Sequence, residues 1–214
     1  MLNQPLTPEN SAIVLIDHGV GFANLFRSHE VAAHVNNVVA LAETAQAFEV
    51  PLIVTGGADD KPSGPLYGEL AKAIGDHEVI VREGNFDAFR TTAFESAITA
   101  TKRQNLVIAG LMTEGCVLQT ALGALQRNYS VYLVTDASAG ETAEAHQMAV
   151  LRMTQLGVVP VTWLSLATEL QGSWNNLATV KAYTEILSRR SVSLAMGLHS
   201  HQAAFAAGAR SASA

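Results

Sequence analysis

Cys116 is the one thiol among 214 residues, and it lies in GLMTEGCVLQTAL (110–122), between an apolar run, NLVIAGL, and a stretch of helical character. A lone cysteine in an α/β protein is more often a small buried hydrophobe than a reagent. A thiol that begins a helix (CVLQTALGALQR) is different, because unpaired N–H groups and the positive dipole end favour a thiolate there. Gly115 lets the backbone approach closely, as a turn before an exposed nucleophile often requires. Two groups of complementary chemistry end other apolar runs: Asp17 closes AIVLID, and Arg82 follows EVIV. Each alone has a plain structural reading, the acid as a turn or helix cap and the arginine as a surface cation. Together they combine a carboxylate that can move a proton, a guanidinium that can hold negative charge and a sulfur that can attack carbon.

Short β-rich runs alternate along the chain with longer segments of helical period. The runs are 12–17, 51–56, 78–81, 105–111, 130–136 and 158–163. They are continuous rather than alternating, which predicts parallel strands covered on both faces. Val31, Val35, Val38, Val39 and Ala42 recur at helical spacing. Thr92-Ala-Phe-Glu95 matches a capping box opening another helix. Thr142 to Leu156 reads as helix, with Gly157 as its stop. Six βα units predict a doubly wound parallel sheet with helices on both faces. In such sheets ligands bind outside the C-terminal strand ends. That edge collects Asp17, Thr55-Gly56-Gly57, Arg82, the 112–116 turn, Asp136 and Trp163. Residues 165–190 look helical, and the Ala/Ser-rich remainder, from about Gly197, reads either as a frayed tail or as an arm that packs on a neighbouring subunit.

Composition narrows the classes of partner. A formal charge of −6 and a pI near 5.6 argue against nucleic acid or an anionic membrane. The chain is 49% hydrophobic with mean hydropathy +0.20, enough for a sizeable core, while only 15% of residues are charged. So sparse a charged surface predicts burial against other copies, hence a homo-oligomer. A single cysteine fits a reducing compartment. MLNQPLTPEN has neither a basic nor an apolar leader region, and no run approaches the roughly 20 apolar residues of a membrane span. A cytoplasmic location is the expectation.

LIDHGVG at the first strand, REGNFDAF after the third, GLMTEGCV and VTDASAG together resemble the isochorismatase-like cysteine hydrolases. SGPLYGEL (63–70), RMTQLGVVPVTW (152–163) and TELQGSWNN (168–176) are similar to the YcaC-like branch of that family. The similarity runs in order from about residue 10 to 190. It implies a three-layer αβα sandwich with a six-stranded, mainly parallel sheet, a hydrolase domain over 1–190 and a tail or oligomer arm over 191–214. In this branch it also implies an octamer of stacked rings. The family pattern assigns the acid to Asp17 and the nucleophile to Cys116. Arg82 stands where most members have Lys, a departure that matters because Arg is effectively never deprotonated. A cis peptide is expected at Met112–Thr113, and an oxyanion hole from N–H groups of that turn. The activity implied is hydrolysis of a small amide-type C–N bond. Alternatives are a nitrile, an ester or an isochorismate-like ether as substrate, or a non-catalytic binding protein on the same fold.

Candidate pocket residues are Phe22, Phe26, Phe86, Phe89 and Trp163, with Asn24 and Asn85 as polar contacts. No metal is expected, because the region after the second strand reads TGGADDKP, and Asp59 and Asp60 without imidazole make a poor transition-metal site. The seven histidines (His18, His29, His34, His77, His146, His199 and His201) read as core or surface residues, and strand alternation should point His18 away from Asp17. DHGVGFANLF lacks the third glycine of a dinucleotide fingerprint, so no cofactor is expected.

Overall fold

The computed structural model describes residues 5–57, 62–82 and 84–212; Asp59 and Asp60 lie outside this range. The elements run β1 (Ser11–Ile16), α1 (Val20–Ala23), α2 (Val31–Ala47), β2 (Leu52–Gly56), α3 (Gly68–Ile74), β3 (Val79–Val81) and α4 (Thr92–Thr101). They continue through β4 (Asn105–Gly110), α5 (Leu118–Gln126), β5 (Ser130–Val134), α6 (Ala143–Gln155), β6 (Val159–Val161), α7 (Trp163–Gln171), α8 (Val180–Arg190) and α9 (Val192–Ala212). The six strands form one parallel sheet in the order β3-β2-β1-β4-β5-β6. The chain winds outward from β1 through β2 and β3, then returns to place β4 on the other side of β1. Loops leaving β1 and β4 therefore diverge, and a crevice opens between them.

Period-two alternation builds the three layers. Ile13 and Leu15 of β1, with Val107 and Ala109 of β4, face a core shared with α2, α3, α7 and α8, including Leu41, Leu70, Leu166 and Ile186. Ala12, Val14 and Ile16, with Leu106 and Ile108, face the opposite core of α4, α5 and α6, including Phe94, Ile98, Ala121 and Met153. All twelve residues of β1 and β4 are buried, which explains why these runs show no polar alternation.

Two local expectations change. The capping box at Thr92 is absent: Thr91 is the N-cap of α4 and makes no side-chain capping bond, so Thr92 already lies inside the helix. The helix expected over 165–190 is broken between α7 and α8. Gly172 takes φ +65°, and the buried Gln171 amide donates to the carbonyls of Ser173 and Asn176 and accepts from Thr179 Oγ1 at 2.7 Å. In the C-terminal stretch, read from sequence as a frayed tail or an arm, α9 covers Val192–Ala212, with Val192, Met196 and Phe205 exposed.

His18 and His34 are fully buried, with ring centroids 5.5 Å apart. Tyr67 lies 5.9 Å from one and 6.0 Å from the other, and Phe26 packs 4.9 Å from His34. No ring nitrogen of either histidine, nor the Tyr67 hydroxyl, has a hydrogen-bond partner among the described residues. Burial, then repulsion from neighbouring imidazoles, pushes His34 down to about 3 and His146 down to about 4, and holds His18 well below its usual value. The fold thus selects neutral imidazoles, whereas the unfolded chain takes up protons below about pH 6.5. Stability from this group is complete above that pH and is lost as pH falls toward the folded values. His34 alone should remove about 1–2 kcal/mol between pH 7 and pH 5. Urea midpoints measured across this range should fall, and His34→Leu should flatten the slope while keeping stability at pH 7, since the ring it replaces makes no hydrogen bond.

Candidate active site

The end of β1 bends sharply at Asp17, a non-glycine residue with φ +54°. Its N–H still meets Thr55 O of the neighbouring strand at 3.1 Å, while its carbonyl accepts from Gly19 N–H at 2.7 Å. Both carboxylate oxygens are engaged. Thr55 Oγ1 donates to Oδ1 and Arg82 Nη1 donates to Oδ2, each at 2.8 Å. The Asp17 and Arg82 side chains are only 10% and 6% exposed, so this is a buried ion pair. The second guanidinium nitrogen donates to the carbonyls of Asn85 and Phe86.

The third group arrives from β4. After Gly110, whose missing Cβ avoids overlap with the Ile16 carbonyl, the chain enters a wide turn over Thr113–Val117. Gly115 departs from helical geometry there, at φ −103° and ψ −110°. Cys116 sits in this turn rather than in the first turn of α5, which begins at Leu118. The cis peptide is Leu111–Met112, one bond earlier than the expected Met112–Thr113. Leu111 is the last residue bridged to the neighbouring chain segment, at Ala139, and Thr113 N–H is already committed to Ala139 O.

Asp17, Arg82 and Cys116 line one cavity of about 650 Å³, with Phe22, Gly56, Gly57, Pro62, Ser63, Val81, Gly84, Asn85 and Phe86. Gly19 and Gly21 allow the 62–64 segment to lie against α1, because a Cβ on either would strike the Ser63 or Pro62 carbonyl. The cavity wall between β1 and β2 depends on that close approach.

Other predicted residues lie elsewhere. Phe26 is buried against His34, and Phe89 packs on Phe94. Trp163 is buried at the start of α7, where its N–H donates to Asp136 Oδ1. Asn24 is exposed and offers its carbonyl to Arg27. Met112 is packed against the core. Thr113 is buried beneath the turn, with Oγ1 2.9 Å from His146 Nδ1. His18 is buried beside His34 and Tyr67, on the face of Ile13 and Leu15; the bend at Asp17, not strand alternation, sets its direction. Thr55 was placed at the strand edge by the sequence but not counted as a site residue, although it follows Val54, the partner of Leu15, beside the end of β1. Ser63, placed by loop packing, and Val81, the last residue of β3, also border the cavity and were not among the predicted pocket residues. Among the described residues, no group of three or more His, Cys, Asp or Glu is arranged to hold a metal ion.

The thiol is not held as a thiolate. Burial pushes the Cys116 pKa up, the Asp17 carboxylate adds to that shift, and Arg82 opposes it. The lowering expected from a helix terminus is overridden by desolvation, while the guanidinium is largely engaged by Asp17.

A parallel αβα sandwich with a thiol, carboxylate and guanidinium at its topological switch point defines a class of protein, and comparison supplies the family. Residues 11–165 match the isochorismatase domain, so the chain belongs to the isochorismatase family. It is 37% identical over 171 residues to the Escherichia coli protein described as probable hydrolase YcaC, covering 80% of this chain and 82% of that one. The crystal structure of Escherichia coli YcaC, an octameric hydrolase of unknown specificity, superposes with TM-score 0.89 at 33% identity, over 95% of this chain and 98% of its own. Pseudomonas aeruginosa YcaC, solved with hexane-2,5-diol and covalent acrylamide, gives TM-score 0.89 at 32% identity, over 94% and 99%.

A pH series of iodoacetamide alkylation, read by intact mass, should show a Cys116 midpoint above the ordinary thiol value. Asp17→Asn should lower that midpoint and speed alkylation at pH 8, because the charge that disfavours the thiolate is removed. An unchanged midpoint in that variant would contradict the electrostatic account.

Proposed function

We propose that the chain is a cysteine hydrolase of small, neutral compounds with an amide-type C–N bond, and that Cys116 is its nucleophile. The observation that carries this reading is the convergence of Asp17, Arg82 and Cys116 on one cavity. Since the resting thiol keeps its proton, Asp17 takes that proton as sulfur attacks the carbonyl carbon. The tetrahedral oxyanion is held by the Cys116 N–H and the guanidinium. Asp17 returns the proton to the departing amine, leaving an acyl-enzyme. Water then attacks the thioester, Asp17 accepts its proton, and the proton passes to sulfur as the acid leaves. Arg82 supplies charge and position only, so all proton traffic runs through Asp17.

Cavity chemistry supports a neutral substrate. Phe22, Pro62, Val81 and Phe86 give it an apolar wall, and Arg82, the one cation among its described lining residues, is already paired. A dicarboxylate such as isochorismate would need a second cation. The Pseudomonas aeruginosa relative carries acrylamide, a small neutral amide and an electrophile toward thiols. In this chain Cys116 is the thiol that such a molecule would meet. The raised thiol pKa favours one second reading, a non-catalytic binding protein on the same fold.

We assign residues 1–190 to the hydrolase domain and the remainder to assembly. Exposed Trp174, Leu177, Val192, Met196 and Phe205 give α9 and the α7–α8 connection an apolar surface suited to other copies of the chain. Among the described residues, no helix is long and apolar enough to cross a membrane. Light scattering should give eight times the mass of the 22.6 kDa chain, as in octameric YcaC; a monomer would refute this assignment.

A screen of small amides, nitriles, esters and isochorismate, scored by product release, tests the activity. Turnover of an amide should be abolished by Cys116→Ala with the circular dichroism spectrum unchanged, and intact mass should show the acyl adduct in the wild type. Undiminished turnover in that variant would refute the covalent scheme.

A further inference from the structure

The turn that carries Cys116 is held from beneath, and three of its hydrogen bonds lead to one segment. Thr113 N–H donates to Ala139 O at 2.9 Å, and Glu141 N–H donates to Glu114 Oε1 at 2.8 Å. Thr113 Oγ1 lies 2.9 Å from Nδ1 of His146, in the first turns of α6. Thr113 is fully buried and His146 nearly so. The 139–146 segment is itself braced from the loop after β1. Gly140 N–H donates to Ser28 Oγ at 2.9 Å, and the Gly140 carbonyl accepts from the N–H groups of Arg27 and Ser28. Ser28 Oγ meets His29 Nδ1 at 2.8 Å, and the His29 ring stands edge-on to His146 at 4.8 Å.

His146 therefore sits where the two supports meet. One side reaches, through Ser28 and Arg27, the segment that follows α1, whose Phe22 walls the cavity; the other reaches the turn whose sulfur enters it. The adjoining packing is close, since a Cβ at Gly140 would meet Glu114 Oε2 and crowd the His146 backbone N and Cβ. A turn with one non-helical glycine needs such outside anchoring, because it lacks the hydrogen-bond repeat of an α-helix.

We propose that His146 is a positioning residue, which holds Thr113 Oγ1 and so fixes the Thr113–Val117 turn that sets Cys116 beside Asp17 and Arg82. It touches no reactant and acts through Thr113. The proposal rests on Cys116 being the reactive group, but not on the identity of the substrate. In either neutral tautomer Nδ1 can pair with the hydroxyl, as acceptor or as donor. An asparagine places an amide oxygen or nitrogen near the same point, whereas alanine offers nothing.

Iodoacetamide alkylation of Cys116, followed by intact mass from pH 6 to pH 10, tests this without a substrate. His146→Ala should free the turn, release the thiol from burial, lower its titration midpoint and raise the alkylation rate at pH 8 about fivefold. His146→Asn should restore wild-type behaviour. Thr113→Val should match His146→Ala, and the double variant should exceed neither single variant, since both break one contact. Ile186→Ala, a core change on α8, controls for general loosening. The proposal is overturned if His146→Ala and Thr113→Val alkylate as wild type does, if their effects multiply, or if Ile186→Ala produces the same change. Should His146→Ala fail to fold, Thr113→Val and His146→Asn still decide the matter. His146-dependent alkylation in a protein that hydrolyses no amide would uphold the positioning role and sink the amidase reading.

Discussion

Everything at the strand edge is organised around the buried pair of Asp17 and Arg82. Taking a carboxylate and a guanidinium out of water costs several kcal/mol per ion unless geometry and hydrogen bonds compensate. Here the compensation is substantial but incomplete: Thr55 and Arg82 supply one donor to each carboxylate oxygen and the second terminal nitrogen of the fork reaches two backbone carbonyls, while Nε has no partner among the described residues. The pair ties the end of β1 to the end of β3 across β2. It also dictates the state of the sulfur beside it. A guanidinium committed to a carboxylate has little charge left for a thiolate, so burial decides and the proton stays on Cys116. A base within the same cluster then becomes necessary for attack, and Asp17 is the group in place.

The sheet topology explains why this cluster forms between β1 and β4. Strand order reverses there, so the loops on either side lead away from each other and leave room for a cavity. Close backbone approaches at Gly19, Gly21 and Gly110 bring the loop walls into contact range. Beneath the cavity the structure commits three neutral histidines, His18, His34 and His146, to its interior, two of them without any hydrogen bond. The same burial that favours a compact core also makes the fold sensitive to acid.

Much of the architecture was legible in the residues. Continuous apolar runs announced strands buried on both faces, and β1 and β4 are the most buried of all. The stop at Gly157 was readable because its φ is +95°, a value few other residues adopt. The capping box at Thr92 misled, because a three-residue spacing does not say which threonine stands outside the helix. The helix drawn through 165–190 failed for a related reason: Gly172 and Gln171 make a turn whose hydrogen bonds join residues up to eight apart. At the site, Asp17, Arg82 and Cys116 were legible as strand-end residues, and the family resemblance sharpened their roles. Phe26 and Trp163 were misplaced among the pocket candidates, since an aromatic type fits a core as readily as a cavity.

Taken by itself, the sequence determined the sheet, its winding and the chemical types delivered to one edge, because strand period and βα alternation are local properties of the chain. Tertiary structure alone decided the proton state of the thiol, the place of the cis bond, the support of the turn by His146 and the roles of Thr55 and Ser63. Each of these depends on distances between segments remote in the chain, and on how much water remains between them. Neither quantity is written in any local pattern of residues.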